Sequence, residues 1–146
     1  MRERLEASAP PRSLKRGPGG MTDVEFLVQA FQLQHGRDRP DICRTNTWDG
    51  LDALRAAGLL SAADHRTLTD GYSFHRLAEA RLRIVTNRPL TEYPDDPAEL
   101  EKLARRMGFA AGDQFLAELH RHARGVRETF DRLLPPVTIL ANPKKP

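Results

Sequence analysis

The residues best suited to chemistry in this 146-residue sequence lie between Leu14 and Phe26, in the run Leu-Lys-Arg-Gly-Pro-Gly-Gly-Met-Thr-Asp-Val-Glu-Phe. Lys15 and Arg16 precede Gly17, Gly19 and Gly20, and the run leads straight into a helix start. Backbone amides at a helix N-terminus can hold a phosphate, with a nearby lysine or arginine adding charge. The run is not a Walker A loop, because no Gly-Lys-Ser/Thr follows the glycines. Asp23 and Glu25 fall in the first helical turn, where they complement the helix dipole and repel a bare phosphate. Two resolutions follow from residue type. Either the loop is structural and its glycines supply positive φ, or the carboxylates stand near a phosphate through Mg²⁺ or from the side.

Other candidate groups carry less. The histidines are His35, His65, His75, His120 and His122. His120 and His122 are two apart, so they do not share a helical face, and no His-Glu-x-x-His is present; no metal site is expected. His75 and His122 fall on apolar stripes and are expected to be buried. Cys43 lacks a neighbouring cysteine or histidine motif and reads as a buried or neutral thiol. Serines occupy caps or tails, and no Gly-x-Ser-x-Gly elbow occurs, so no catalytic residue is assigned. Arg76, Arg81, Arg83 and Arg88, joined by Glu79, read as a solvated face with pairs three and four apart, or alternatively as a basic groove. Arg121, Arg124 and Arg127 invite the same two readings.

Helices must position these groups. Thr22-x-x-Glu25 is a capping box, so the first helix is expected from Thr22 to Gly36, apolar over most of its circumference and therefore central. A second is expected over 47–57 with Gly58 past its end, and a third from Ser61-x-x-Asp64 towards Val85. The third carries a stripe of Leu68, Tyr72, His75, Ala78 or Glu79, Leu82 and Val85. Asp96-Pro97 opens a short fourth helix closed by Gly108. The fifth starts near Asp113 with Phe115, Leu119, His122, Val126, Phe130 and Leu133 on one face. The fold class is all-α, an antiparallel helical bundle of about five helices over residues 13–135. Residues 1–12, broken by Pro10-Pro11, and residues 136–146 are expected to be flexible tails.

Composition narrows the classes. Lysine plus arginine number 23 against 20 acidic residues, a net charge of +3 spread over a mixed-sign surface, which does not argue for nucleic acid. With 39% hydrophobic residues the chain has enough apolar material for one globular domain. One cysteine excludes a disulfide framework and fits a reducing cytoplasm. No apolar run approaches a membrane span and no signal peptide opens the chain, so no membrane partner is expected.

The segment from Leu14 to Gln29 resembles the Lys-x-Gly-x-Gly-Gly-[IML]-x-[DE]-[IV]-Glu-Phe-x-x-Gln signature of glutamine synthetase adenylyltransferases, which are related to PII-uridylyltransferases. The likeness continues through Phe31-Gln-Leu-Gln-His35, Leu51-x-x-Leu54 with Gly58-Leu-Leu60, and Tyr72-x-Phe-x-Arg76 with Arg81-Leu. It extends over Leu100-x-x-Leu-Ala104, Met107-Gly-Phe109 and Val126-Arg127 with Phe130, so it covers residues 14–134.

The resemblance implies one helical bundle from an enzyme of tandem units, each a nucleotidyltransferase domain followed by such a bundle. One unit transfers AMP from ATP to a tyrosine of glutamine synthetase, and the other removes it by phosphorolysis, both with Mg²⁺. Implied partners are glutamine synthetase, the nucleotidyltransferase domain of the same enzyme and a PII-type signal protein. Lys15, Arg16, Gly17, Gly19 and Gly20 would face the nucleotidyltransferase cleft as ATP-phosphate contacts, with Asp23 and Glu25 behind them. The sequence also departs from the family, with no Gly-Ser dipeptide, no Asp-x-Asp, and Ile84 after Arg81-Leu-Arg83 where the family continues with proline. Ser13 stands where relatives often carry an acidic residue. Clustered carboxylates are what two-metal phosphoryl chemistry requires, so this chain alone is expected to bind no cofactor and to be inactive. A non-enzymatic module binding glutamine synthetase or a PII-type protein through its arginine faces is the alternative. The residues after Leu134 are expected to form a C-terminal tail like that of the adenylylating unit.

Overall fold

The computed structural model describes residues 2–86 and 90–135, with residues 85 and 86 described by backbone alone. Six helices follow in order: α1 (Arg2–Ala7), α2 (Met21–His35), α3 (Thr47–Ala56), α4 (Ala62–Thr86), α5 (Pro97–Arg106) and α6 (Gly112–Leu133), with a 3₁₀ turn at Pro40–Ile42. Among the described residues there is no strand, only one isolated antiparallel bridge between Ser13 and Glu92. The all-α expectation is met.

Local chemistry sets most boundaries. The Asn46 side chain accepts hydrogen bonds from the amides of Trp48 and Asp49, which fixes the start of α3. Ser61 Oγ accepts from the Asp64 amide at 3.0 Å, and Asp96 Oδ2 from the Glu99 amide at 3.0 Å. Gly58 and Gly108 end α3 and α5 with φ of 74° and 86°. The start of α6 is held from outside the helix, where Glu101 Oε1 of α5 accepts from the Gly112 amide at 2.8 Å.

The bundle is organised around the pair α4 and α6, which run antiparallel. Contacts descend along α4 as they rise along α6: Asp64 with Arg132, Gly71 with Val126, and Phe74 with His122 and Phe115. A side chain at Gly71 would stand 2.5 Å from Val126 Cγ2, so its absence permits this close crossing. Leu68, Ala78, Phe115, Leu119 and Val126 form the core between the two helices, and Val24, Leu27, Leu51 and Leu54 extend it to α2 and α3. The described part of the α4 stripe is buried as expected. The side chain of Val85, its last member, lies outside the described residues.

Three expectations are corrected. The segment read as an N-terminal tail carries α1, because Arg2 and Glu6 find partners on α2 and α6 that a local reading cannot supply. The capping box at Thr22 and Glu25 does not form, since α2 begins one residue earlier with Gly20 at its N-cap and no side-chain cap there. Neighbouring loop carbonyls serve the first-turn amides instead. Cys43 is exposed, not buried. The expected tail over 136–146 and Arg88 lie outside the described residues.

Candidate functional site

The glycine segment wraps the N-terminus of α2 and consumes its amides within the chain. Gly20 N donates to Gly17 O at 2.9 Å, Met21 N to Leu14 O at 3.3 Å, Thr22 N to Lys15 O at 2.9 Å, and Asp23 N to Gly20 O at 3.2 Å. Gly19 N donates to Asp23 Oδ2 at 2.8 Å, and Arg16 N to Ser13 Oγ at 3.0 Å. No first-turn amide therefore points at an outside phosphate, as an anion cradle of the P-loop kind would require. What the loop presents outward is side-chain charge. Lys15 and Arg16 are exposed, and neither forms an ion pair among the described residues.

The glycines are there for approach as well as conformation. Gly19 has φ of 72°, and a Cβ built on it would lie 1.8 Å from the carbonyl oxygen of Ala123 in α6. At Gly17 and Gly20 a Cβ would come within 2.8 Å of backbone carbonyl oxygens of the same loop. The segment is thus pressed onto α6 and coiled on itself, with Leu14 buried beneath it. Leu14 N donates to Thr91 O at 2.8 Å and Tyr93 N to Arg12 O at 3.1 Å, tying the loop to the chain ahead of α5.

Asp23 is the charged centre of this arrangement and is 3% exposed. Its Oδ1 accepts from Arg2 Nη1 at 3.0 Å, and its Oδ2 also faces Arg127 Nη1 at 3.4 Å. Glu6 bridges the two arginines at 2.7 and 2.9 Å, and Arg127 Nε reaches Asp131 at 2.9 Å. Burial opposes the charge on Arg127. The hydrogen bonds that Arg127 donates to Glu6 and Asp131 and the field of Asp23 outweigh it and hold the guanidinium pKa above its ordinary value. The Arg2 guanidinium also lies over the Phe130 ring at 4.6 Å. Sequence reasoning placed Asp23 at this loop and noticed Arg127. It missed Arg2 and Glu6, although their four-residue spacing was a signal.

Glu25 faces elsewhere. Its Oε1 accepts from the Tyr72 hydroxyl at 3.1 Å, on the side of α4 and away from the glycines. Burial pushes the Tyr72 pKa up, and the neighbouring Glu25 charge adds to that. Among the described residues no three His, Cys, Asp or Glu side chains group as a metal site. No helix of the described residues is long and apolar enough to cross a membrane.

A cavity of about 150 Å³ lies behind the loop, with Leu14, Pro18, His75, Tyr93, Leu119 and Ala123 in its wall. His75 is 3% exposed and its Nδ1–H donates to the Gly71 carbonyl at 2.7 Å. Burial lowers the His75 pKa; the Gly71 hydrogen bond opposes this and His122 adds to it. His122, expected to be buried, is half-buried, stacked on Phe74 at 4.7 Å with Glu118 beside it at 3.2 Å. A histidine kept neutral in the fold takes up a proton more readily when unfolded, so its contribution is complete above about pH 6.5 and falls as the pH drops towards the folded value. Urea midpoints measured from pH 8 to pH 5 are expected to decline below about 6.5, and less steeply in His75→Gln. Equal slopes in the two proteins would remove His75 as the cause.

The family described as GlnD PII-uridylyltransferase matches residues 2–134. The chain is 38% identical over 139 residues to a protein of Streptomyces avermitilis named bifunctional glutamine synthetase adenylyltransferase/adenylyl-removing enzyme, covering 91% of this chain and 14% of that protein. Proteins of the same name from Streptomyces coelicolor and Nitrosomonas europaea are 37% and 34% identical, over 91% and 83% of this chain and 14% and 13% of their own lengths. The chain thus spans about one seventh of the length of these relatives. The match takes in α1, the glycine loop with Asp23, and α6 with Arg127, so the elements that build the charged centre are all inside it. From fold, loop and sequence together, the chain belongs to the GlnD PII-uridylyltransferase family.

Proposed function

We propose that this chain is the helical bundle standing beside a nucleotidyltransferase domain in a glutamine synthetase adenylyltransferase, where it positions groups and does not catalyse. The observation that carries the reading is the identity to proteins so named over 91% of this chain. The intact enzyme would transfer AMP from ATP to a glutamine synthetase tyrosine, or remove it, with Mg²⁺ and in the cytoplasm. A PII-type signal protein would be its regulatory partner. The carboxylates for both metal ions would come from the adjoining domain, because this sequence has no Asp-x-Asp and no Gly-Ser dipeptide.

Within that enzyme the exposed Lys15, with Arg16 beside it, would reach the ATP phosphates across the domain boundary. Gly17, Gly19 and Gly20 shape the loop that presents these cations, and Asp23 anchors it through the Gly19 amide. Glu25 supports α2 from the far side through Tyr72. Supplying charge from a side chain while the backbone amides are occupied fits a loop that borders a phosphate site without forming its cradle.

Two measurements test this. The purified chain with glutamine synthetase, labelled ATP and Mg²⁺ is expected to transfer no AMP, and measurable turnover would overturn the reading. In an intact adenylyltransferase carrying this bundle, Lys15→Ala is expected to lower kcat/KM for ATP by about ten- to a hundredfold, the worth of a charged hydrogen bond. An unchanged kcat/KM would leave the loop purely structural.

A further inference from the structure

The outward face of α4 carries a pattern that neither the core nor the glycine loop uses. Trp48 Nε1 of α3 donates to Ser73 Oγ at 2.9 Å, and this contact marks how far α3 covers α4. Beyond Ser73 the same stripe continues through Leu77, Ala80 and Ile84 at three- and four-residue spacing. Leu77 is 46% and Ile84 76% exposed. An aliphatic seam of this kind is left open to solvent over two turns.

Arginines border the seam on both sides. Arg76 and Arg83, seven residues apart, form one row, and Arg81 stands on the other. Glu79, 4% exposed, accepts from Arg76 at 3.2 Å and from Arg83 at 3.0 Å, so two guanidiniums share one carboxylate and keep a surplus positive charge. Arg81 forms no ion pair among the described residues. An exposed apolar stripe with positive edges is complementary to an apolar helix face with negative edges.

We propose that the outer face of α4 is a docking surface for an amphipathic helix with an aliphatic ridge and carboxylates along both flanks. Leu77 and Ile84 receive the ridge, while Arg81 on one edge and the Arg76–Arg83 row on the other receive the carboxylates. The proposal is independent of the nucleotidyl-transfer reading, since it uses no residue of the glycine loop.

The test uses a labelled helical peptide of about 18 residues with leucines three and four apart and glutamates on both flanks, beside a control with lysines in place of the glutamates. Leu77→Asp, Ile84→Asp and Arg81→Glu alter exposed side chains, and unchanged thermal midpoints would show that each variant folds. Arg76 and Arg83 are left intact because Glu79 depends on them. The chain is expected to prefer the glutamate-flanked peptide, and Leu77→Asp or Ile84→Asp to weaken binding by about tenfold or more. Arg81→Glu is expected to shift preference towards the lysine-flanked peptide. Equal binding of the two peptides, or unchanged affinity in Leu77→Asp and Ile84→Asp, would overturn the proposal. So would occupation of this face by single-stranded RNA or by a second copy of the chain in preference to the peptide.

Discussion

Gly19→Ala is expected to destabilise the chain by more than about 4 kcal/mol, a loss that few single substitutions reach. Two costs coincide at this position. The residue sits at φ of 72°, which L side chains adopt only with strain, and the new methyl would lie 1.8 Å from the Ala123 carbonyl oxygen. Backbone cannot yield there as a side chain can, so the loop must lift from α6 and release Leu14 and the Asp23 contact together. Gly58 provides the matched control. It has φ of 74° but nothing within 4 Å of a built Cβ, so Gly58→Ala bears the conformational cost alone, about 1 kcal/mol. Urea unfolding of both variants separates the terms. A loss at Gly19 no larger than that at Gly58 would mean that the loop does not press on α6.

Asp23→Ala should cost about 3 kcal/mol, the low end for breaking a buried ion pair, because Arg2 and Arg127 keep other partners. The carboxylate joins three segments at once: the Gly19 amide, α1 through Arg2 and α6 through Arg127. Its loss leaves the Gly19 amide without an acceptor and removes one of the few ties on α1, which has no buried residue of its own. Asp23→Asn keeps an oxygen for the Gly19 amide while removing the charge, and should fall between the wild type and Asp23→Ala. A double-mutant cycle with Arg127→Ala should show coupling between the two positions. Additive losses would show that the charged centre is not a unit.

Because the loop, α1 and α6 meet at Asp23, the stability tests and the ATP test on Lys15 read different properties. Gly19 and Asp23 variants report how the loop is held, whereas Lys15 is exposed and its removal should leave unfolding midpoints unchanged. A fall in kcat/KM for ATP without a change in stability would assign Lys15 to phosphate contact. The three substitutions together distinguish a loop that only supports α2 from one that also presents charge.

Periodicity and punctuation determined much of this protein in advance. Leu68, Tyr72, His75 and Leu82 on one stripe, Asp96-Pro97 at a helix start and Gly58 and Gly108 at helix ends were legible, because spacing and caps act over a few residues and appear in order along the chain. The run from Leu14 to Gln29 also disclosed the family, since a close-packed glycine loop tolerates few alternatives at Gly19 and Gly20. Tertiary structure decided what pairs with what. Thr22 and Glu25 had the spacing of a cap, but the loop folding back over α2 put the Lys15 carbonyl on the Thr22 amide that Glu25 would have served, with Leu14 and Gly17 taking the amides of Met21 and Gly20. Those contacts left the box without a task and turned Glu25 to Tyr72. Arg2 and Glu6 looked like part of a tail because the groups that fix them, Asp23 on α2 for Arg2 and Arg127 on α6 for Glu6, come near only in the folded chain. A charge gains a fixed place only from groups that the folded chain brings around it, and sequence order does not record that proximity.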